Sequence, residues 1–296
     1  MPLNTQQIKV HGTLLFVGLI YGATYSIAKI AMPDLIKPFG FILVRVILAT
    51  LIFWLFDVVK GGEVIRYRRD YIRLMACALF GIAINQLIFF KGLSMTASIS
   101  ASIIMTSNPI IVLVASWLIL KEPVTKLKVA GIILGSTGAV MLILRNEVQW
   151  EAGSFLGDLF ILINAASYGI YLVLVKPLMA RYRAITIVKW VFLFGLIIII
   201  PFGTGELLAV NWYDMPMEGW ASILYIILFT TVLAYLLNVW ALQFITPTIV
   251  SYYIYLQPLF ATLIAFVFLN ESPGANVIIY TLMIFSGVYL VSKKRF

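Results

Sequence analysis

Ten apolar runs of roughly 20 residues divide the chain, at residues 12–31, 39–59, 72–93, 97–120, 127–145, 155–179, 185–203, 219–243, 247–269 and 275–292. A helix needs about 20 apolar residues to cross the hydrocarbon layer of a bilayer. Each run therefore predicts a transmembrane helix, and together they predict an all-α integral membrane fold of ten spans joined by short connections. One stretch occurs twice, Ala97 to Glu122 and Thr246 to Glu271, at an offset of 149 residues. Each copy carries an amide and a proline near its middle, Asn108-Pro109 and Gln257-Pro258, and closes on a glutamate. A proline inside a helix frees a backbone carbonyl, so Pro109 and Pro258 predict hinges beside a polar group at mid-span.

The same offset pairs Leu79 with Leu228, Ser102 with Ser251, Pro109 with Pro258, Glu122 with Glu271 and Gly138 with Gly287, while an offset of 147 pairs Tyr21-Gly22 with Tyr168-Gly169 and Lys29 with Lys176. Five runs per half is an odd number, so the halves enter the membrane from opposite sides. The expectation is two inverted five-helix repeats, residues 12–145 and 155–292. Such repeats place a binding site at mid-depth between the halves and let them exchange roles in alternating access.

Composition agrees with the runs: 62% of residues are hydrophobic and 11% charged, too apolar for a water-soluble globule of this length. The net charge of +9 raises nucleic acid as a partner, yet the basic residues gather at the ends of apolar runs and no soluble module is left to use them. Sixteen of the 21 lysines and arginines fall on one set of alternating loops and termini, against Lys37, Lys91 and Arg145 on the other. The positive-inside rule then puts both termini in the cytoplasm of a bacterial-type cytoplasmic (inner) membrane. The chain begins without the pattern of a cleaved signal peptide, so the first run is expected to stay as a helix. Cys77 is the single cysteine and His11 the single histidine, which predicts no disulfide, no metal site and no cofactor. A phosphate-binding glycine loop with Lys-Ser/Thr and a Gly-x-Ser-x-Gly elbow are both missing, so neither ATP hydrolysis nor enzyme activity is expected.

Several of these features resemble one family. Tyr21-Gly22 through Lys29, Arg45 with Ala49, the small-residue run Ala97 to Ser102, Pro109, Glu122 before Lys128, and Gly131, Gly135 and Gly138 resemble the drug/metabolite transporter superfamily, specifically its ten-helix EamA-type members. The resemblance implies a basket in which helices 1, 3, 4, 6, 8 and 9 line a central cavity and helices 5 and 10 pack outside. It also implies small-molecule substrates: amino acids and related metabolites, exported, or sugar phosphates and nucleotide sugars, exchanged. Tyr21 stands where tryptophan is usual in that family.

Candidate substrate-binding residues follow from the cost of burying polar groups in hydrocarbon. Asn108 and Gln257 come first, because an amide both accepts from an ammonium and donates to a carboxylate; the alternative is that each bonds its freed carbonyl or a neighbouring helix. Thr106 and Ser102 share a helix face, as do their counterparts Tyr255 and Ser251. Asn85 and Gln86 in the third run and Tyr235 and Asn238 in the eighth point inward in any reading. Tyr21, Tyr25, Tyr168 and Tyr171, with Trp240, form aromatic faces suited to an apolar or aromatic solute. Lys29 and Arg45 are candidate charge partners for an anion, with snorkelling to the surface as the alternative; snorkelling is the preferred reading for Lys91 and Lys176. Glu122 and Glu271 either gate or cap. The glycines of the fifth run predict close approach of another helix, within a monomer or in a homodimer. The reading is a secondary transporter of small organic metabolites, amino acids first. Its rivals are an exchanger of phosphorylated or other anionic compounds and, from another class, a membrane-embedded enzyme or lipid-binding protein.

Overall fold

A computed structural model describes residues 5–32, 34–95, 101, 104–144, 155–257, 259–260 and 276–292, with the backbone alone for 25, 26, 29, 142–144 and 277. Among the described residues there is no β-strand. Among the described residues the longer helical elements are, in chain order, α1 (Thr5–Ala31), α2 (Pro38–Val59), α3 (Arg68–Leu93), α4 (Asn108–Leu120), α5 (Lys126–Leu144), α6 (Phe155–Ala180), α7 (Ala184–Leu208), α8 (Met217–Ala241), α9 (Pro247–Tyr252, continued by a 3-10 turn over Tyr253–Tyr255) and α10 (Asn276–Ser292), with further helical residues at 101, 104–105, 256–257 and 259–260. Five of them, α2, α3, α6, α7 and α8, are long and apolar enough to span a membrane. The most apolar stretch of each is at most half buried inside the bundle. The remaining surface is itself apolar: Leu51, Leu55, Ile72, Ile133, Ile197 and Leu282 all face outward, a surface for acyl chains rather than water.

Local chemistry sets where the helices begin and stop. Pro38 and Pro247 occupy the first turn of α2 and α9 behind an extended residue, where a proline costs no hydrogen bond. Pro109 stands in the first turn of α4, after a turn at Thr106 and Ser107. This proline thus opens a new helical segment. At its far end α4 stops on Lys121 in the left-handed conformation (φ 57°), and the Glu122 N–H donates to Ser116 O at 3.1 Å, closing orphan carbonyls as such caps do.

Helices α2 and α7 lie against each other along their length, with Gly40 beside Glu206, Leu43 beside Gly203, Phe53 on Phe192 and Asp57 on Lys189. One sequence rises as the other falls, so the two are antiparallel. The Glu206 carboxylate accepts from the Phe39 and Gly40 amides at 2.7 and 3.0 Å, satisfying the first turn of α2 with a negative group at its positive end. Helices α5 and α10 are antiparallel as well. Gly131 meets Gly287 O and Val291, while Gly138 meets Tyr280 O and Met283; adding 149 to 131 and to 138 gives 280 and 287, so each contact is the other's counterpart. The glycine stripe therefore serves close packing within the chain. Its third member, Gly135, gives room to the Tyr252 ring.

Wide turns interrupt α3 and α8 at corresponding places. Residues Leu79–Ile84 and Ile226–Leu233 are π-helical, and their last residues are 149 apart. A π turn leaves carbonyls free for other partners. Ser167 donates to Phe80 O at 2.5 Å and Tyr235 to Gly81 O at 3.1 Å, both within the α3 turn.

Candidate functional site: a cavity among the helices

The helices line a partly open cavity of about 120 Å³, room for a small solute. Helix α1 contributes Gly18, Tyr21 and Thr24, α3 contributes Asn85, Gln86, Phe89 and Phe90, and α6 contributes Asn164 and Tyr168. From α8 come Thr230, Tyr235 and Asn238, from the region of α9 Val250, Tyr253 and Gln257, and from α2 Arg45. Met105, just before α4, completes the wall. Aromatic and aliphatic surface dominates, with a few amides and hydroxyls and one guanidinium set into it.

Most of those polar groups are fixed by bonds across the cavity rather than within their own helix. Gln86 Nε2 donates to Tyr235 Oη at 2.9 Å. These two residues are 149 apart, the same offset that relates the repeated stretches of the sequence. Asn238 Nδ2 donates to Tyr21 Oη at 3.2 Å, and Thr24 and Thr230 share a hydrogen bond of 2.7 Å. Asn164 Nδ2 donates to Asn85 O at 2.6 Å. The Gln86 side-chain oxygen is buried with no donor among the described residues.

Arg45 is 3% exposed. Its Nε and Nη2 donate to Thr231 Oγ1 at 3.1 and 2.9 Å, and the Thr231 hydroxyl sends its one proton to Ile226 O, five residues back in the π turn. That arrangement leaves the hydroxyl oxygen as a pure acceptor for the guanidinium. Arg45 Cζ lies 5.0 Å from the Phe90 ring centre and 5.8 Å from that of Phe41, and Nη1 has no acceptor among the described residues.

The candidates read from the sequence separate into three groups. Asn85, Gln86, Tyr168, Tyr235, Asn238, Gln257 and Arg45 line the cavity. Asn108, Thr106, Tyr171, Tyr255 and Trp240 are placed elsewhere. Asn108 is fully buried, and its Nδ2 donates to Ala165 O at 2.6 Å, joining α4 to α6. Tyr171 lies against Gly81 in the packed interior. Tyr255 stacks edge-on with Tyr252 at 4.7 Å beside Gly135. Trp240 packs on Phe244 at 5.1 Å, and Thr106 is buried in the turn before α4. The side chains of Tyr25 and Lys29, and the whole of Pro258, Ser102 and Glu271, lie outside the described residues. Lys176 does not snorkel: its ammonium donates to Leu242 O and Ile245 O just past α8, where a cation suits the negative end of a helix. Asn164, Thr24, Thr230 and Tyr253 line the cavity without having been singled out beforehand. Asn164 carried the same signal as Asn85, an amide deep in an apolar run.

Cross-links gather at the end of the bundle where α1 starts. His11 Nδ1 and the Tyr253 hydroxyl share a hydrogen bond there. Glu122 pairs with Lys128 at 2.5 Å and accepts from Thr248 at 3.3 Å, so it ties α4 to α9. Arg181 and the Tyr182 hydroxyl both donate to Asp70, at 2.9 and 2.8 Å. Burial and that bond to a carboxylate push the Tyr182 phenol above its ordinary range.

The sequence matches the EamA-like transporter family over residues 9–144 and again over 155–293. The chain belongs to this family. Membership and the apolar helices together make it a multi-pass membrane protein of the drug/metabolite transporter type. Among similar proteins is a transporter described as uncharacterized from Archaeoglobus fulgidus, 29% identical and covering 97% of this chain and 98% of its own. The uncharacterized transporter YyaM of Bacillus subtilis is 23% identical over 97% of each. A probable terminal-alkyne amino-acid exporter of Streptantibioticus cattleyicolor is 21% identical over 76% of this chain and 74% of its own. A solved crystal structure superposes with a TM-score of 0.77 over 96% of both chains at 14% identity, a likeness of fold.

Proposed function

We propose that this protein is a secondary transporter that exports small organic metabolites, amino acids foremost, across a bacterial-type cytoplasmic membrane. Residues 12–145 and 155–292 are its two inverted five-helix repeats, ten spans in all, with both termini in the cytoplasm. The observation that carries the reading is the bond from Gln86 to Tyr235, equivalent positions meeting at the wall of a largely apolar cavity to which both halves contribute. Antiparallel contacts of α2 with α7 and of α5 with α10 support the inversion, as does the family match occurring twice. In alternating access, cross-links at one end would open as those at the other form, about a hinge where helices are already broken. The turn before α4 and the 3-10 turn in α9 are such places.

The binding residues of this reading are Gln86, Asn85, Tyr235, Asn238, Tyr168 and Gln257. Amino acids are favoured by amides that both donate and accept beside aromatic surface, and by the likeness to the probable terminal-alkyne amino-acid exporter of Streptantibioticus cattleyicolor. Comparing metabolites outside cells that overproduce the protein with those outside cells lacking it tests the reading. Selective accumulation of one solute class, reproduced as flux by purified protein in liposomes, is the expected outcome. Identical metabolite profiles together with inert liposomes would remove it.

A further inference from the structure

Arg45 is the one described lysine or arginine that lines the cavity, and no aspartate or glutamate lines it among the described residues. A buried cation without an anion is costly, and hydroxyl and ring partners compensate it only in part. Nε and Nη2 are committed to Thr231, while Nη1 is not committed to anything described. The same cavity holds the complementary gap. Gln86 spends its two-proton nitrogen on Tyr235 and leaves its oxygen without a donor. One charged donor and one neutral acceptor, both buried, are thus without a described partner on residues that line a cavity otherwise walled by rings such as Phe89, Phe90 and Tyr168.

We propose that Arg45 Nη1 binds the carboxylate of the transported solute and Gln86 Oε1 accepts from its amino group, so that the substrate is a monocarboxylate amino acid with an apolar or aromatic body. The assignment rests on the transporter reading and adds the substrate class to it. A single free Nη1 suits one carboxylate oxygen. A dianionic phosphate calls for more than one cation, and Arg45 is the only described one here. With no acid among the described lining, the ammonium is met by the glutamine oxygen and by ring faces.

The test measures equilibrium binding by calorimetry on purified full-length protein in lipid nanodiscs, with phenylalanine, 3-phenylpropionate, phenylalaninamide and inorganic phosphate as probes. Phenylalanine should bind best and 3-phenylpropionate next, with phenylalaninamide about 10- to 100-fold weaker, the worth of one charge-assisted hydrogen bond. Arg45→Gln should abolish the preference for acid over amide, and Arg45→Lys should keep part of it. Gln86→Leu should narrow the gap between phenylalanine and 3-phenylpropionate while leaving the latter bound. If Arg45→Gln does not fold, the probe series on the unaltered protein still decides. The assignment is overturned if the amide binds as well as the acid, if phosphate binds as well as the amino acid, or if no carboxylate binds. Flux in liposomes separates the two readings: movement of a neutral or cationic solute, unchanged in Arg45→Gln, leaves the transporter standing without this site. Carboxylate binding with no flux of any solute does the reverse.

Discussion

Two buried cations sit in the packed pair α2 and α7, and they are satisfied in opposite ways. Lys189, 5% exposed, has its ammonium against the Asp57 carboxylate and 4.9 Å from the Trp54 ring centre. Arg45, 3% exposed and three turns further along α2, has a hydroxyl, two aromatic faces and an open nitrogen. Both incur the desolvation cost of a charge in a low-dielectric interior. Lys189 recovers it from an anion carried by the same chain, which balances the charge although the second carboxylate oxygen, Asp57 Oδ1, has no donor among the described residues. Arg45 recovers part, and what is left is free energy available to a ligand that brings a negative charge. Burial alone therefore does not distinguish a structural charge from a binding one; the difference lies in what completes it.

The largest effect should come from breaking the completed pair. Asp57→Ala leaves the Lys189 ammonium buried without an anion, and Lys189→Met does the same to the aspartate, each expected to cost about 3–5 kcal/mol. Thermal unfolding of the purified protein would show it as a lower midpoint. The double variant Asp57→Leu with Lys189→Met should recover most of the loss, since an apolar pair of similar volume often replaces a buried ion pair at little cost. A double variant no better than either single one would mean that packing rather than charge holds this contact.

Arg45→Met is the sharper half of the comparison. It removes an incompletely satisfied charge along with two bonds to Thr231, so stability should change by less than about 2 kcal/mol in either direction. Binding of carboxylate probes should meanwhile be lost. A destabilisation as large as that of Asp57→Ala would make Arg45 a structural residue like Lys189.

Position relative to the cavity separates the two amides placed alike in the repeated stretch. Asn108 is tied to Ala165 O away from the cavity, whereas Gln257 is part of its lining. Asn108→Ala should cost about 1–3 kcal/mol by leaving a buried carbonyl without its donor, with flux per folded molecule unaltered. Gln257→Ala should leave the unfolding midpoint within about 1 kcal/mol and reduce flux in liposomes. The reverse pattern would move the site to the other half.

Helix positions were readable because an apolar run long enough to span a bilayer has few other structures open to it, and because prolines such as Pro38 and Pro247 mark the first turns. The inward direction of Asn85, Gln86, Tyr235 and Asn238 was readable for the same reason: hydrocarbon does not accept a bare amide or phenol. What the pattern could not separate was the cavity from the packed interior, since both lie inward. Tyr168 and Tyr171 are three residues apart on one helix, and one lines the cavity while the other fills the space over Gly81. Arg45's partner depends on the π turn in α8 that presents Thr231, and no residue of Ile226–Leu233 announces such a turn. Repetition in sequence had a similar limit. It pairs Asn108 with its counterpart region in α9, but the two halves use those places differently.

The smallest expected effect belongs to Lys176, a third way to complete a cation. Lys176 is partly buried, and its ammonium bonds the carbonyls of Leu242 and Ile245 at the end of α8. Water shares in stabilising it, so the helix end and the cation each have an alternative partner. Lys176→Met should therefore cost only about 0.3–1 kcal/mol, well below the loss at Lys189. It should also be partly screened by salt, so the difference between variant and parent ought to shrink as ionic strength rises. A salt-independent loss of 3 kcal/mol or more would place Lys176 beside Lys189 as a buried structural charge, and would show that the carbonyls ending α8 depend on it rather than on water.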